Sequence, residues 1–336
     1  MPDATLNVAP SFVPPPPLPE EASSESRATR SREARPEPAR QEPEYFRSLV
    51  EQVRLFWAPM PDKPEETPEG IARALWLTAA GVPASVVRAS RMRLPVLSEA
   101  SYRRCLALVQ AKRDGTPLAH LTGRQNFLGL EMLAGPEALV PRVETEIVCR
   151  AALSRLDKLA AERGSLRILD LCTGSGNLAL SFAYHQPNAR VHAADLSPEA
   201  VALARRNARH LALEVDFRIG DLFAPFDTPA FIGRFDLVCC NPPYIPAAKV
   251  PQMHSEISAH EPELAFNGGI YGISILTRLL KDAPRFLKPR SWIAFELGAG
   301  QGPALVRRLQ SNAAFDVVEA QCDATGEIRA ILARTV

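Results

Sequence analysis

The chain has 336 residues, a formal net charge of +1 and 46% hydrophobic residues. That length suits one to three domains with a sizeable core, and so even a charge balance gives no whole-chain pull towards nucleic acid. No apolar run approaches the roughly 18 residues of a membrane span, and no basic segment followed by an apolar stretch opens the chain, so neither a membrane protein nor a secretory leader is expected. The six cysteines, at 105, 149, 172, 239, 240 and 322, show no Cys-x-x-Cys pair and no metal-like spacing with the histidines. They read as small apolar side chains in a reducing cytoplasm, with no metal.

Residues 1–44 are rich in Pro, Ser, Glu and Arg, with prolines at 14 to 17. Such a segment cannot bury enough apolar area to order itself, so a disordered arm is expected. From 45 to 114 the apolar spacing is helical. Leu49, Val53, Leu55 and Phe56 make one stripe; Ile71, Leu75 and Trp76 make another that ends near Gly81. Ser98-Glu99 caps a third helix through Tyr102, Leu106 and Val109. A small helical domain for docking a substrate is expected. Gly115-Thr116-Pro117 marks its end, and 115–140 reads as a β-hairpin linker with β-like pieces at 127–130 and 139–141.

From 141 to the end, strands and helices alternate. Strands are expected at 167–171, 190–194, 215–219, 235–240 and 292–297, and helices at 177–185, 198–210, 273–286 and 303–310. Two more strands, at about 315–321 and 327–332, have no helix between them. The pattern predicts an α/β fold: a doubly wound, mostly parallel seven-stranded sheet closed by a C-terminal antiparallel hairpin.

The first strand runs into Asp170-Leu171-Cys172-Thr173-Gly174-Ser175-Gly176 and then a helix. Glycines let the backbone approach a ligand, and a helix N-terminus offers free N–H donors. Alone, this loop fits a nicotinamide site nearly as well as any other, because Gly174-Ser175-Gly176-Asn177-Leu178-Ala179 satisfies the dinucleotide pattern. The remaining strand ends favour S-adenosylmethionine. Asp170 is placed to hold an ammonium group, Asp195 to accept two ribose hydroxyls, and Asp221 or the Leu222 backbone to meet an adenine edge. With Cys172, Thr173, Gly174, Ser175, Gly176 and Asn241 they form the candidate cofactor set.

The fourth strand ends in Asn241-Pro242-Pro243-Tyr244. Two prolines can neither continue a strand nor open a helix normally, so they fix an extended turn. That turn stands at the sheet edge where α/β proteins bind ligands. The Asn241 side-chain oxygen and the Pro242 carbonyl make two acceptors, which suit an NH2 group, and the Tyr244 ring would shield the reacting pair from water. An isolated Asn-Pro is more often a plain turn; the strand before it and the Pro-Tyr after it favour catalysis. Asn241, Pro242 and Tyr244 are the candidate catalytic residues, joined by Pro243, Arg142 and Glu144 as substrate contacts. Arg142, Glu144 and Glu146 serve equally well as a polar lip or as the start of a helix. His260-Glu261-Pro262-Glu263 lacks a second histidine at metal spacing and reads as a loop-positioning segment.

In order and spacing, residues 68 to 334 resemble the HemK-type class I methyltransferases. The resemblance rests on Gly115 through Gly123, Val140 through Glu146, the glycine loop, Asp195 through Ala200, Asn241 through Pro246, His260 through Leu264, and Glu296-Leu297-Gly298 with Gln301. It implies an enzyme that uses S-adenosylmethionine to methylate a glutamine amide nitrogen in a protein, with the Gly-Gly-Gln loop of a peptide-chain release factor as the expected partner. A ribosomal protein, or an amino group of DNA or RNA, is the alternative. The last needs a basic face to hold phosphates around a flipped base, which the near-neutral charge disfavours.

Three departures from the family pattern stand out. Cys172 occupies a position usually held by glycine. The usual Pro-Arg-Pro-Asp-Thr-Glu reads Pro141-Arg142-Val143-Glu144-Thr145-Glu146, and the usual Lys-Pro-Gly-Gly reads Lys288-Pro289-Arg290-Ser291. The ending from Asp323 to Arg329 resembles the release-factor branch more than the ribosomal one.

Overall fold

A computed structural model describes residues 42–60, 62–252, 256, 259–269 and 272–336. The expected disordered arm falls, up to residue 41, outside the described residues.

Five helices come first: α1 (Glu42–Arg54), α2 (Pro68–Ala79), α3 (Val86–Ala89), α4 (Glu99–Arg113) and α5 (Leu118–Thr122). Thr67, Ser85 and Ser98 precede three of them, and each side chain accepts from the amide three residues on. Those acceptors satisfy donors that a helix start leaves free. Leu49, Val53, Ile71, Leu75, Trp76 and Val109 pack into a core of their own, and the Trp76 indole N–H donates to the Pro95 carbonyl at 2.8 Å.

A hairpin follows, β1 (Arg124–Phe127) and β2 (Leu130–Leu133). It corrects the expected β-like pieces. Residues 127–130 are mainly the turn: Leu128 and Gly129 both have positive φ, 49° and 87°, the backbone of the two-residue turn whose twist matches paired strands. Residues 139–141 form no strand, because Pro141 lacks an amide and the Val140 amide donates to the Glu261 side chain at 3.1 Å. A 21-residue helix, α6 (Val143–Arg163), then leads into the sheet; the sequence allowed its start at 142–146 but gave no reading of its length. Its buried Val148, Ala152, Leu156 and Leu159 keep helical spacing.

Strands β3 (Arg167–Leu171), β4 (Arg190–Asp195), β5 (Asp216–Ile219), β6 (Phe235–Cys240), β7 (Leu287–Glu296), β8 (Phe315–Cys322) and β9 (Ile328–Thr335) form one sheet. Their order is β5-β4-β3-β6-β7-β9-β8. β3, β4, β5, β6 and β7 run parallel, and β9 pairs antiparallel with both β7 and β8. The doubly wound sheet with its closing hairpin is the expected one. Helices α7 (Asn177–His185), α8 (Pro198–His210), α9 (Ser274–Phe286) and α10 (Gly302–Gln310) complete the layers, over two apolar cores, one on each side of the sheet. β6 is buried along its whole length, as a central parallel strand must be. The chain leaves β3 for β4 on one side and returns to β6 on the other, so the C-terminal ends of β3 and β6 border the crevice where such sheets bind ligands.

The helical segment meets the rest of the chain through buried charges. Lys63, Glu66, Lys112 and Glu256 are 3%, 6%, 8% and 4% exposed. Glu256 lies 2.5 Å from Lys63 and 2.9 Å from Lys112, and Lys112 is 3.2 Å from Glu66.

Candidate active site

A cavity of about 400 Å³ opens at the C-terminal ends of β3, β4 and β6, lined among others by Thr173, Ser175, Asp195, Leu222 and Asn241. Its floor is the turn from β3 into α7. Gly176 caps α7 with φ 85°, and a Cβ there would press within 3.1–3.3 Å of Ala204, Leu180 and Phe217. Cys172 also has a left-handed backbone, φ 57°, which explains why the family favours glycine there: a side chain costs about 1–2 kcal/mol in that region.

Asp195, at the end of β4, braces the turn. Its Oδ2 accepts the Gly174 amide at 2.8 Å and its Oδ1 the Ser197 amide at 2.9 Å. Burial raises its pKa against those bonds, and each oxygen keeps a lone pair for a hydroxyl. The Ser175 hydroxyl is buried without a hydrogen-bond partner. Asp221 lines the cavity but pairs with Arg278 at 2.7 Å on the surface. A bracing carboxylate, an unpartnered hydroxyl and apolar walls from Leu222 and Ile275 fit a nucleoside-bearing ligand such as S-adenosylmethionine.

Asp170, expected to hold an ammonium group, lies under the turn. It is fully buried beneath the loop, outside the cavity lining, and one oxygen accepts the Thr173 hydroxyl at 2.6 Å and the Ala179 amide at 3.2 Å. The other oxygen has no partner. Burial, opposed by those two bonds, pushes the carboxyl up to about 7.

A second cavity of about 200 Å³ lies behind the first, lined by Arg142, Glu144, Pro242, Tyr244 and Arg329 among others. Asn241, Leu139 and Ala265 line both. Asn241 therefore stands in the wall between them. Its Nδ2 donates to the Thr145 hydroxyl at 3.1 Å. The Tyr244 hydroxyl donates to Glu296 Oε1 at 2.8 Å, and burial raises the pKa of both groups. Gln301 donates to the Tyr244 carbonyl at 3.2 Å. Gly272 must be glycine to pass, since a Cβ there would lie 2.1 Å from that same oxygen.

The two readings of 142–146 resolve residue by residue. Arg142 is buried and held by Glu261 at 2.5 Å and Asp62 at 3.5 Å. Glu144 faces the second cavity with a buried, unpartnered Oε2. Glu146 turns away, accepting the Leu128 amide and pairing with Arg150. Sequence reasoning gave no role to Thr145, Glu296, Asp62 or Arg329. Thr145, Glu296 and Arg329 lie inside quoted segments, whereas Asp62 carries no local signal. Among the described residues no group of three His, Cys, Asp or Glu side chains is placed to hold a metal, and no helix is long and apolar enough to cross a membrane.

A doubly wound sheet with a glycine-turn cleft and an Asn-Pro-Pro-Tyr turn at its central strand end defines a class I methyltransferase. Residues 148–273 match the family model described as methyltransferase small domain. The release factor glutamine methyltransferase of Moorella thermoacetica is 37% identical over 239 residues, covering 70% of this chain and 81% of that one. That of Geobacter sulfurreducens is 35% identical over 217 residues, covering 65% and 73%. The chain belongs to the release factor glutamine methyltransferase family. A methyltransferase structure from Pyrococcus furiosus is 20% identical with a TM-score of 0.45, covering 61% of this chain and 89% of that one, a likeness too loose to add to the reading.

Proposed function

We propose that the chain transfers a methyl group from S-adenosylmethionine to the side-chain amide nitrogen of a glutamine in a cytoplasmic peptide-chain release factor, at its Gly-Gly-Gln motif. The observation that carries this reading is the position of Asn241, whose side chain stands between the larger and the smaller cavity. With Nδ2 engaged by Thr145, its oxygen is the atom left to accept from an incoming N–H.

An amide nitrogen is a weak nucleophile because its lone pair is delocalised into the carbonyl. Asn241 Oδ1 and the Pro242 carbonyl would each accept one N–H and fix the nitrogen at the wall between the cavities. Those bonds strengthen as the nitrogen gains positive charge, which lowers the barrier. S-adenosylmethionine would supply, when bound, a methyl on a positively charged sulfur: the nitrogen–carbon bond forms as the sulfur–carbon bond breaks, the neutral thioether leaves and the amide proton goes to solvent. Asp195 and Ser175 would hold this donor, and Tyr244 would keep water from the reacting atoms. The relatives' names support a release factor as the protein substrate.

Incubating the purified chain with S-adenosylmethionine and a release factor, then mapping the methyl by mass spectrometry, tests the reading. A single methyl on the Gly-Gly-Gln glutamine is expected. Methylation confined to nucleic acid, or to a ribosomal protein, overturns it.

A further inference from the structure

Asn207 is the one polar side chain on the buried face of α8, which is otherwise Ala200, Val201, Leu203, Ala204 and Ala208. It is 0% exposed, and burying an amide costs free energy unless its oxygen and nitrogen are both met. Both are met, by main chain from two distant segments. Oδ1 accepts the Leu133 amide at 2.6 Å, while Nδ2 donates to the Leu133 carbonyl at 3.1 Å and the Ser175 carbonyl at 3.0 Å. Two carbonyls need a donor and the amide needs an acceptor, so only one orientation of the side chain fits.

Both segments wall the larger cavity. Ser175 lines it from the glycine turn, and the chain that runs on from Leu133 lines it with Glu137, Ala138 and Leu139. The two walls meet where a Cβ on Gly174 would lie 4.0 Å from the Ala138 Cβ. β2 pairs only with β1, and Asn207 binds its open edge as a further strand would, through one N–H and one C=O. Nearby, Arg206 holds Glu137 at 2.8 Å, and Ala138 packs with Ala200 and Leu203. Those contacts fasten one wall to α8. Asn207 reaches further, binding wall and turn at once.

We infer that Asn207 is a positioning residue that fixes the spacing between the 133–139 wall and the glycine turn, and with it the fit of the methyl donor. This rests on the proposed function in taking the ligand of the larger cavity to be S-adenosylmethionine. Asn207 lines neither cavity, so it acts through Leu133 and Ser175. Its loss therefore shows in donor binding rather than in turnover once the donor is bound.

The test compares Asn207→Asp and Asn207→Ser with Val201→Ala, which trims the same buried helix face. Aspartate keeps the acceptor for Leu133 but turns an oxygen towards two carbonyls. Serine leaves room for water, which can satisfy those carbonyls without fixing their spacing. By calorimetry, both Asn207 variants are expected to bind S-adenosylmethionine about 10-fold more weakly, the worth of one hydrogen bond. Their kcat on the release factor at saturating donor is expected to stay near native. Val201→Ala is expected to lower the melting temperature and keep native affinity, as the Asn207 variants also would if Asn207 only held the fold. The second readout needs no donor. Hydrogen exchange of the Gly174 and Gly176 amides, which bond to Asp195 and the Thr173 carbonyl, is expected to quicken in the Asn207 variants alone. Native affinity or native exchange in Asn207→Ser, or an equal loss of affinity in Val201→Ala, overturns the inference; the serine variant decides even where aspartate prevents folding. A native chain that binds no S-adenosylmethionine overturns the proposed function instead, and the exchange readout still decides whether Asn207 holds the turn.

Discussion

The two cavities on either side of Asn241 are built by different means. The larger is built around a glycine turn, the ends of three parallel strands and one bracing carboxylate between residues 172 and 241, with side chains from 137–145 and 262–275 closing it. The smaller is mostly long side chains brought from far apart, with Asp62, Arg142, Glu144, Tyr244 and Arg329 around it. A cleft framed by backbone turns changes little with single substitutions, and it suits a ligand that never varies. A pocket of paired side chains depends on how distant segments dock, and it suits a protein partner. The difference predicts that turnover and donor binding can be damaged separately.

The harshest break is Glu256→Gln, which leaves Lys63 and Lys112 buried with Glu66 as the remaining carboxylate of the cluster. Removing one partner of a buried pair costs about 3–5 kcal/mol, so a large fall in melting temperature is expected. A melting temperature that hardly moves would show that the cluster does not hold the helices in place. The same cluster sets an acid limit. Burial pushes the Glu256 carboxyl up, but Lys63 and Lys112 pull it down to about 2 from 4.5. A lowered acid stabilises the fold above the unfolded value, and this share is lost as pH falls from about 4.5 towards 2. Thermal unfolding across that window should lose this slope in Glu256→Gln.

Next in size is Asn241→Ala. It is expected to cut kcat about 10²- to 10³-fold, as losing a hydrogen bond made in the transition state does, while calorimetry finds donor affinity little changed. Asp195→Ala should do the converse, weakening donor binding by about 1.5–3 kcal/mol and leaving release-factor binding in a pull-down intact. If either variant damaged both readouts equally, the two cavities would not be separable. The smallest effect belongs to Cys172→Gly. Relief of the left-handed backbone is partly offset by the freer unfolded chain, so a gain of no more than about 1 kcal/mol is expected in denaturant unfolding.

The same contrast decides what could be read from the sequence. The strands at 167–171 and 235–240 were placed to the residue, because continuous apolar runs and the turns that end them are local signals. The glycine turn between β3 and α7 was legible for the same reason. The role of Asp170 could not be decided, because a carboxylate just before a glycine turn looks the same in sequence whether it faces the ligand or supports the loop from beneath. Arg142 could not be decided, since its partners Asp62 and Glu261 lie 80 and 119 positions away. Even the departures from the family pattern became intelligible only with backbone angles. Arg290, which stands where the usual motif has its first glycine, has φ 55°, so like Cys172 it keeps a turn that glycine would adopt more easily.

One side chain shared by two cavities makes the two ligands thermodynamic neighbours. Whatever the methyl donor does to the freedom of Asn241, the protein substrate meets on arrival, and the reverse holds by the same factor. On the proposed function, the wall between the cavities would also couple the two ligands. An enzyme built this way can register that its donor is in place before it grips the glutamine.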